Sequence, residues 1–328
     1  MSGVGLDVGT MNLVVARQTD TGVSTTRMRD AFLDLPTTSK KLLKLSKASF
    51  VERGDELLIL GDSALEMALM FGREVRRPLQ KGLVSSQEME AIEVVGYMIQ
   101  SLLGEPRTEG EVCFYSIPAA PVDNPNRDII YHKRLFERIV ADCGYRPVAG
   151  NEAMAIIFAE AAKENFSGLA LSFGSGMTNI AMGNLAIECM AFSVEVGGDW
   201  IDQGAARSIG STASQCCAAK ESGMDLLSPQ NRIEEALSFY YKELIEYVLT
   251  QVGSEFKKRK LQLVFGKPLP VIISGGTSLC KNFLPFFEQV LKNQKLPFAV
   301  SEVRQASDPL NAVAQGLLIQ ALQESEED

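Results

Sequence analysis

The sequence predicts an α/β fold made of two related halves, each built around a sheet that opens with a tight hairpin. The segment GLDVGTMNLVVAR from Gly5 is similar to ALSFGSGMTNIAM from Ala170. Their polar positions Asp7 and Ser172 lie 165 residues apart, about half of the 328-residue chain. Strand-like apolar runs also alternate with helical periodicities in both halves, a pattern typical of α/β proteins.

Each hairpin turns through glycine and short polar residues, at Gly9-Thr10 in the first and Gly174-Ser175-Gly176 in the second. Glycine accepts a positive φ, and the N–H groups of such a turn form a concave nest that attracts an anion. Two nests that face each other could hold a polyphosphate from both sides. An asparagine follows each turn, and we match Asn12 of the first hairpin with Asn179 of the second.

The other elements of the first half follow from spacing and composition. The irregular, lysine-rich stretch up to about residue 80 predicts a small inserted subdomain. Apolar residues between positions 88 and 103 recur at helical spacing, and Pro106 marks a break. The remaining predicted elements are a strand at Glu56–Leu60, a helix at 63–71, a strand VCFYSIP, a helix at about 127–143 ending at Gly144, and a strand leading to Asn151, with Glu152 in the first turn of the next helix.

In the second half, capping patterns predict where helices begin. Ser228 followed by Pro229 predicts the start of a long helix, because serine caps helices and proline suits the first helical position. Asp308 and Pro309 predict the start of the last helix in the same way. The segment VIISGGTS predicts a buried strand whose Gly-Gly turn opens another helix, a geometry that also suits an anion or nucleotide.

Composition limits the possible functions. With 46% hydrophobic and 22% charged residues the chain is an ordinary globular protein, and a formal charge of −9 argues against sequence-independent binding to nucleic acid or anionic lipid. Because the chain has a single histidine, His132, its composition argues against multi-histidine metal sites and histidine-dependent catalytic triads. Six cysteines without metal-binding spacing predict reduced thiols and a cytoplasmic location. No amphipathic helix precedes the first strand, so we expect no direct membrane anchor.

Five segments in one order resemble the nucleotide-binding signature of the actin, Hsp70 and sugar-kinase superfamily. They are GLDVGTMN for the first phosphate loop, SIPAAPVDNPNRD through GNEAMA for the first connecting segment, LSFGSGMTN for the second phosphate loop, VIISGGTS for the adenosine loop and DPLNAVAQG for the second connecting helix. RRPLQKGLV and VGGDWID are similar to segments of the prokaryotic actin-like branch, which includes MreB and MamK. The resemblance spans nearly the whole chain.

The resemblance implies two duplicated actin-like (RNase H-like) α/β domains, each with a smaller inserted subdomain, flanking a nucleotide cleft. We expect domain I to comprise residues 1–150 plus 309–328, with its insertion at about 31–79. Domain II would comprise residues 151–308, with its insertion at about 196–264. The implied cofactors are ATP or ADP and Mg²⁺.

The same resemblance implies roles for individual residues. Asp7 would hold Mg²⁺ through water, because Mg²⁺ dehydrates reluctantly and takes one or two carboxylates together with phosphate oxygens. Glu152 matches the acidic residue that orients the attacking water, and Lys220 matches a purine or ribose contact. The other implied nucleotide-binding residues are Gly9, Thr10, Met11, Asn12, Ser172, Gly174, Ser175, Gly176, Met177, Gly198, Asp199, Gly275, Gly276 and Thr277.

One position departs from the family pattern. The second phosphate loop of the superfamily normally begins with an aspartate that helps to place Mg²⁺, and Ser172 stands there in this chain. A hydroxyl cannot supply that negative charge, so the departure predicts a slow Mg²⁺-dependent ATPase.

Three functions remain open. The first is a filament protein in which ATP controls head-to-tail assembly of identical subunits, with adaptor proteins as further partners. The second is an Hsp70-like or assembly-factor ATPase that acts on a partner protein without polymerising. The third is a small-molecule kinase, for which no acceptor-site aspartate stands out. Candidate contact surfaces are the lysines of residues 40–47, the basic cluster at 257–260 and the phenylalanines Phe283, Phe286 and Phe287.

Overall fold

Two mixed sheets of the same design form the centre of the molecule. The computed structural model describes residues 2–261 and 267–327. In chain order its strands are β1 (Gly3–Val8), β2 (Asn12–Thr19), β3 (Gly22–Arg29), β4 (Phe32–Pro36), β5 (Phe50–Arg53), β6 (Glu56–Leu60), β7 (Leu79–Gln80), β8 (Leu83–Val84), β9 (Val112–Ile117), β10 (Arg146–Asn151), β11 (Gly168–Phe173), β12 (Thr178–Asn184), β13 (Ile187–Val194), β14 (Leu269–Ser274) and β15 (Val300–Gln305).

The helices surround and separate these sheets. In chain order they are α1 (Lys40–Leu45), α2 (Asp62–Phe71), α3 (Ala91–Leu103), α4 (Ile130–Asp142), α5 (Glu152–Glu160), α6 (Gly198–Ile209), α7 (Ala213–Glu221), α8 (Arg232–Lys258), α9 (Phe283–Lys292) and α10 (Ala312–Glu327). Short 3-10 helices occupy Thr37–Ser39, Ala162–Glu164 and Gly276–Leu279. No helix in the described part of the chain is both long and apolar enough to cross a membrane.

The two large sheets repeat one topology. Within the described residues the first has the order β10-β9-β1-β2-β3, and the second, read in the same sense, has β15-β14-β11-β12-β13. β1 pairs in parallel with β9 and antiparallel with β2, and β11 pairs in the same way with β14 and β12. This repetition confirms the predicted α/β fold with two duplicated halves.

Helices α5 and α10 lie together between the sheets and share one core with both. Their contact depends on glycine, since a Cβ added to Gly316 would lie 1.8 Å from the carbonyl oxygen of Ala155. On its other side α10 meets β1, where a Cβ on Gly5 would lie 2.0 Å from the carbonyl oxygen of Ala314. Real Cβ atoms do not come this close, so these glycines set how near α10 lies to both neighbours.

Each half carries an insertion, and the two differ in how they are anchored. In the first half, the small sheet β4-β6-β5 forms a core of its own with α1 and α2. The predicted strand at Glu56–Leu60 is confirmed as β6, and the predicted helix is α2, which starts one residue earlier. In the second half, α6 and α8 bury their apolar faces in the same core as β11 and β14.

The start of the long helix α8 differs from the prediction. It begins at Arg232, and Ser228 and Pro229 precede it. Asn231 is the cap, because its side-chain oxygen accepts the N–H groups of Ile233 (3.0 Å) and Glu234 (3.1 Å). A cap that satisfies two of the free N–H groups at the helix start outweighs the Ser-Pro pattern three residues earlier.

The prediction for the last helix was also wrong by three residues. α10 begins at Ala312, because the carbonyl of Pro309 accepts the N–H of Gly275 (2.9 Å) and the hydroxyl of Ser274 (2.9 Å) and so ties the preceding turn to the second sheet. The Gly-Gly turn after β14 opens only a 3-10 helix, and α9 starts later, at Phe283.

Two smaller differences concern α3 and α4, which begin about three residues after their predicted starts. The prediction that Glu152 opens a helix is confirmed, and Asn151 caps it by accepting the N–H of Met154 at 2.9 Å. Phe283 and Phe287 are buried against Phe173, which removes them as contact surfaces.

Asp30 is a buried acid at the junction where β3 leaves the first sheet for the inserted one. One of its carboxylate oxygens accepts the N–H of Leu79 at 3.1 Å, and the other has no partner within the described residues. Burial raises its pKa well above the usual value, although the Leu79 N–H and the charge of Arg77 act in the opposite direction. Asp30 therefore holds β7 in place, but ionising this buried acid lowers the stability of the fold, and the loss depends on pH.

We expect Asp30→Asn to stabilise the protein, and increasingly so as the pH rises. Because the pKa of Asp30 is higher in the folded protein than the unfolded value of 3.8, stability is greatest below that value. It falls as the pH rises toward the folded pKa, by up to about 1.4 kcal/mol per pH unit. Asparagine does not titrate and keeps an oxygen for Leu79. Thermal unfolding between about pH 5 and 8 tests this. The exposed Asp55→Asn is the matched control, and a gain that is the same at every pH would contradict the titration.

Candidate nucleotide site

A cavity of about 550 Å³ lies where the turns of the two predicted hairpins face each other. The ends of β1 and β11 and the start of α5 line it, together with the turn that follows β14. Every residue of the predicted set lines this cavity except Gly176 and Met177. Its size lies within the range of small-molecule sites, roughly 300–1,000 Å³.

The first turn, after β1, is closed by the N–H of Gly9, which donates to the carbonyl of Asn12 at 3.1 Å. The hydroxyl oxygen of Thr10 accepts the N–H of Gly82 at 2.9 Å, so the turn between β7 and β8 supports it from behind. The side-chain amide oxygen of Asn12 is buried and finds no hydrogen-bond partner among the described residues. Because such an atom is costly to leave unpaired, a ligand that offers this acceptor a hydrogen-bond donor or a cation would stabilise the turn.

The second turn, after β11, directs its carbonyls toward the start of α6. The carbonyls of Gly174 and Ser175 accept the N–H groups of Gly198 (3.0 Å) and Asp199 (2.8 Å) at the start of α6. In a trans peptide the next N–H points the opposite way, so the N–H groups of Ser175 and Gly176 point away from α6. The Ser175 hydroxyl is buried without a partner in the described part of the chain. Successive N–H groups beside a free hydroxyl suit an anion.

Two carboxylates meet at the base of the cavity, at the end of β1 and the start of α5. Asp7 accepts the hydroxyl of Ser116, from the end of β9, at 2.9 Å. Glu152 accepts the hydroxyl of Ser172 at 2.8 Å with one oxygen and the side-chain N–H of Asn179 at 2.8 Å with the other. Ser172, the departure from the family pattern, therefore holds the neighbouring carboxylate in place.

Burial and mutual repulsion shift the titration of these acids. Burial raises the pKa of Asp7 to about 8, the charge of Glu152 adds to this, and the Ser116 hydrogen bond opposes it. Burial also raises the pKa of Glu152, while the two donors that hold its oxygens act to lower it. A carboxyl group with a raised pKa is a stronger base once ionised, which suits proton transfer near neutral pH.

The structure corrects the match between the two asparagines. Gly174 donates to the carbonyl of Met177 at 3.1 Å, as Gly9 does to Asn12, so Asn12 corresponds to Met177 and not to Asn179. Asn179 lies two residues after Met177, in β12. Its side chain contacts Glu152, the catalytic candidate, instead of a turn. The side chain of Met177 packs against Gly82 of the β7–β8 turn, which keeps it out of the cavity.

Ser116 and Asn179 are site residues that the sequence reasoning did not assign. A signal for Ser116 exists, because VCFYSIP and VIISGG both carry a serine near the end of a strand that pairs in parallel with the first strand of its hairpin. Asn179 was visible as the asparagine of the second hairpin. No sequence pattern indicated its contact with Glu152, which lies 27 positions away.

The turn after β14 also lines the cavity and comes close to β11. Gly275 has φ +93°, and a Cβ there would lie 2.3 Å from the carbonyl oxygen of Phe173, so only glycine fits. Thr277 donates its hydroxyl to the carbonyl of Gly174 at 2.9 Å and so joins this turn to the second phosphate turn.

Lys220 lines the cavity, but its ammonium group is already engaged. It lies 2.8 Å from the carboxylate of Asp202 and donates to the carbonyl of Gly198 at 3.0 Å. Burial raises the pKa of Asp202 to about 6, and the charge of Lys220 opposes that rise. The contact of Lys220 with a purine or ribose therefore remains a prediction. What the structure shows is a hydrogen bond from Lys220 to the start of α6.

The cavity mouth is crossed by ion pairs that link the two halves. Arg29 of β3 binds Glu221 of α7 at 2.7 Å, and Arg77 binds Asp199 at 3.1 Å. Sequence reasoning missed both arginines, because their partners lie more than 120 positions away. No local pattern marks such pairs.

The donor set at this site fits a nucleotide with its metal. Within the described residues no group of three or more His, Cys, Asp or Glu side chains could hold a metal ion alone. Mg²⁺ usually binds through one or two carboxylates while phosphates and water supply the remaining oxygens. Asp7 beside two turns suited to an anion, with the unpaired Ser175 hydroxyl as a further hydrogen-bond donor, matches that requirement.

Comparisons with known proteins agree with this architecture. A family model described as Volactin matches residues 1–321. The MamK double helical filament is similar over 100% of this chain and 99% of its own, with a TM-score of 0.74 and 18% identity. MreB 5 of Spiroplasma citri bound to AMPPNP is similar over 99% and 98%, with a TM-score of 0.69 and 16% identity.

The ethanolamine utilization protein EutJ from Carboxydothermus hydrogenoformans is similar over 97% of this chain and 89% of its own, with a TM-score of 0.57 and 18% identity. No curated protein sequence matches this chain. The structural matches confirm the predicted actin-like fold.

Proposed function

The chain belongs to the Volactin family, and on that basis we propose that it is an actin-like ATP-binding protein that assembles into filaments. Identical subunits join head to tail, and slow ATP hydrolysis in the cavity controls assembly. The observation that carries the proposal is the pair of anion-binding turns facing each other across one cavity, inside a fold similar to the MamK filament over its full length. The protein works in the cytoplasm with adaptor proteins, and binds neither nucleic acid nor membrane directly.

The cavity lies between the two proposed domains, residues 1–150 plus 309–328 and residues 151–308. α10 supports this division, because it follows the second sheet in sequence and packs on β1 of the first. Cleft closure around a nucleotide would move the halves relative to each other and so change the surfaces available to the next subunit.

Each residue of the site has a specific task in this proposal. The turn from Gly9 to Asn12 and the N–H group of Ser175 hold the phosphates of ATP or ADP. Asp7 holds Mg²⁺ through water, and bound Mg²⁺ would neutralise charge on the phosphates. Glu152 orients the attacking water and accepts its proton, while Gly275 to Thr277 lie against the adenosine.

Ser172 makes hydrolysis slow in this proposal. Its hydroxyl donates to Glu152 and brings no charge, so Asp7 is left as the carboxylate that holds the metal. A single carboxylate organises Mg²⁺ and its waters less strongly than two would, which slows phosphoryl transfer more than binding. Because hydrolysis is slow, filaments stay assembled for a long time after they bind ATP.

Light scattering at 90° with parallel phosphate release tests the proposal on the purified protein. We expect scattering to rise with Mg²⁺-ATP and to stay flat without nucleotide, and phosphate release to lag behind assembly. AMPPNP should support assembly without release. If nucleotide binds and scattering stays flat well above micromolar protein, the filament proposal fails. The alternative, an ATPase that acts on a partner protein without polymerising, is then the function to test.

Asn179→Ala should slow phosphate release by roughly 10- to 100-fold and leave ATP-dependent assembly unchanged. The variant removes one of the two donors that hold Glu152, while the Ser172 hydroxyl remains. Since a hydrogen bond to the charged form lowers a pKa, losing it raises the pKa of Glu152. The acid limb of the pH–rate profile should therefore move to higher pH.

The matched control is Asn184→Ala, at the far end of the same strand β12. It should change neither the rate nor the profile. A slower Asn179→Ala enzyme with an unshifted profile would show that Asn179 only supports the fold and does not position Glu152.

A further inference from the structure

The inserted sheet of the first half carries an exposed basic surface that the nucleotide site does not use. We define the α1 face as Lys41, Leu42, Lys44, Leu45 and Lys47. Leu45 is 74% exposed, and the three lysines are exposed and form no ion pair within the described residues. No acidic residue occurs between positions 37 and 51. The result is a positive, partly apolar surface on a chain whose net charge is −9.

The orientation of this face is fixed from below. Leu43 is fully buried in the core of the inserted sheet and anchors α1 to it. Lys40 is separate from the face, because it pairs with Glu52 of β5. Since the buried leucine and the paired lysine point elsewhere, the face is left open to a partner.

The opposite end of the first half carries the complementary charge. We define the acidic end as five side chains from three neighbouring segments: Asp20, Glu105, Glu109, Glu324 and Glu326. Arg107 ties two of the segments together by donating to the carbonyl of Gln18 at 2.9 Å. Arg146 reaches the third, lying 3.5 Å from Glu324. Arg107 keeps its charge because a carbonyl does not neutralise a guanidinium, and Arg146 pairs with Glu324, but the five carboxylates outnumber these two cations and the surface stays negative.

The two surfaces cannot meet within one molecule. β2 runs from Asn12 at the cavity to Thr19 beside the acidic end, and its eight residues span roughly 25 Å. The inserted sheet leaves the first sheet after Arg29, at the cavity end. The α1 face and the acidic end therefore lie at opposite ends of the first half. A contact between unlike surfaces of identical subunits that does not close on itself repeats along an axis.

We propose that the α1 face of one copy docks on the acidic end of the next copy and forms part of the head-to-tail contact. This inference rests on the proposed function, because it describes the joint of the same filament. The lysines supply attraction and register, and Leu42 and Leu45 supply the apolar part of the contact. Because the charges are exposed, the joint weakens as salt shortens the Debye length, about 8 Å at physiological ionic strength.

Charge reversal on each side tests the pairing. We expect Lys41→Glu/Lys44→Glu/Lys47→Glu to raise the critical concentration for Mg²⁺-ATP-dependent assembly by at least about tenfold. Glu105→Lys/Glu109→Lys/Glu326→Lys should do the same. An equimolar mixture of the two variants should assemble like the wild type, because each then offers the other an opposite charge. Sedimentation and negative-stain electron microscopy measure the result.

Two controls separate this pairing from general effects. Lys133→Glu/Lys163→Glu/Lys292→Glu changes the net charge equally at exposed lysines that form no ion pair within the described residues, and it should assemble normally. Binding of a fluorescent ATP analogue should be unchanged in every variant, because none of these residues lines the cavity.

The outcomes separate a failure of the proposed contact from a failure of the proposed filament function. If the α1 variant assembles like the control, the pairing is wrong and the filament proposal stands. If both variants fail and their mixture also fails, the α1 face does not bind the acidic end. If the wild type itself does not assemble with ATP, both proposals are overturned.

Discussion

Glu152→Ala is expected to abolish phosphate release while ATP-dependent assembly continues. The carboxylate lies at the base of the cavity, held at 2.8 Å by a donor on each oxygen, in a position to take a proton from water. Removing a general base of this kind costs about 10²- to 10⁴-fold in rate. Binding should persist, because the turns that hold the phosphates do not depend on this side chain.

The substitution also changes its neighbour. Part of the rise in the pKa of Asp7 comes from the charge of Glu152, so the pKa of Asp7 should fall when that charge is removed. More of Asp7 is then ionised at neutral pH, which favours metal binding. Filaments of the variant should consequently be long-lived, since they bind ATP and do not hydrolyse it.

Phosphate release and light scattering, recorded together, measure both effects. Glu221→Ala is the matched control, because Glu221 also lines the cavity but lies at its mouth, paired with Arg29. It should alter nucleotide affinity and leave the rate at saturating ATP close to that of the wild type. Release at the wild-type rate from Glu152→Ala would remove Glu152 from the chemistry.

Gly316→Ala should destabilise the protein by more than about 3 kcal/mol, since overpacking a well-fitted core typically costs 1–3 kcal/mol and occasionally more. The added Cβ would lie 1.8 Å from the carbonyl oxygen and 2.5 Å from the carbonyl carbon of Ala155. These are backbone atoms inside α5, so they cannot move as a flexible side chain would. The helices must separate, and Glu152, three residues before Ala155, must move with them.

Gly96→Ala is the matched control for this prediction. Gly96 also lies within a helix, α3, and a Cβ there would meet nothing within 4 Å. It should stabilise the protein by about 0.5–1 kcal/mol, because alanine loses less backbone entropy than glycine. Denaturant unfolding of the two variants measures the difference. Equal stability would mean that α5 and α10 do not cross as closely as described.

The sequence revealed what is local or repeated. The similar hairpins predicted two halves, and the glycine turns, Asp7 and the helix that opens at Glu152 all lie where their motifs indicated. These features depend on a few neighbouring residues, which a motif records directly. The match of Asn12 with Asn179 failed because similarity of residue type cannot fix a register to within two positions, whereas the turn hydrogen bonds can.

Other features were decided by partners far along the chain. The Asp308-Pro309 pattern is a good helix start by itself, yet the carbonyl of Pro309 is bound by Ser274 and Gly275 at the end of β14, more than 30 positions earlier. Likewise, nothing near Arg29 in the sequence indicates Glu221. Such contacts arise only once distant segments come together in the folded chain, so a single sequence contains no local trace of them.

The close crossing at Gly316 divides α10 into a short segment on the cavity side and a longer segment toward the C-terminal end. Leu310, just before α10, and Val313, in its first turn, line the cavity, and Glu326, near its end, belongs to the acidic end. At 1.5 Å per residue the short segment from Ala312 to the crossing is about 6 Å and the longer segment beyond it about 16 Å. A tilt about Gly316 that shifts the cavity end by about 1 Å would swing the acidic end by nearly 3 Å. Because α10 packs on β1 through Ala314, Leu318 and Ala321, such a tilt would carry the first sheet with it, so an adjustment around a phosphate would displace the acidic end and the sheet together.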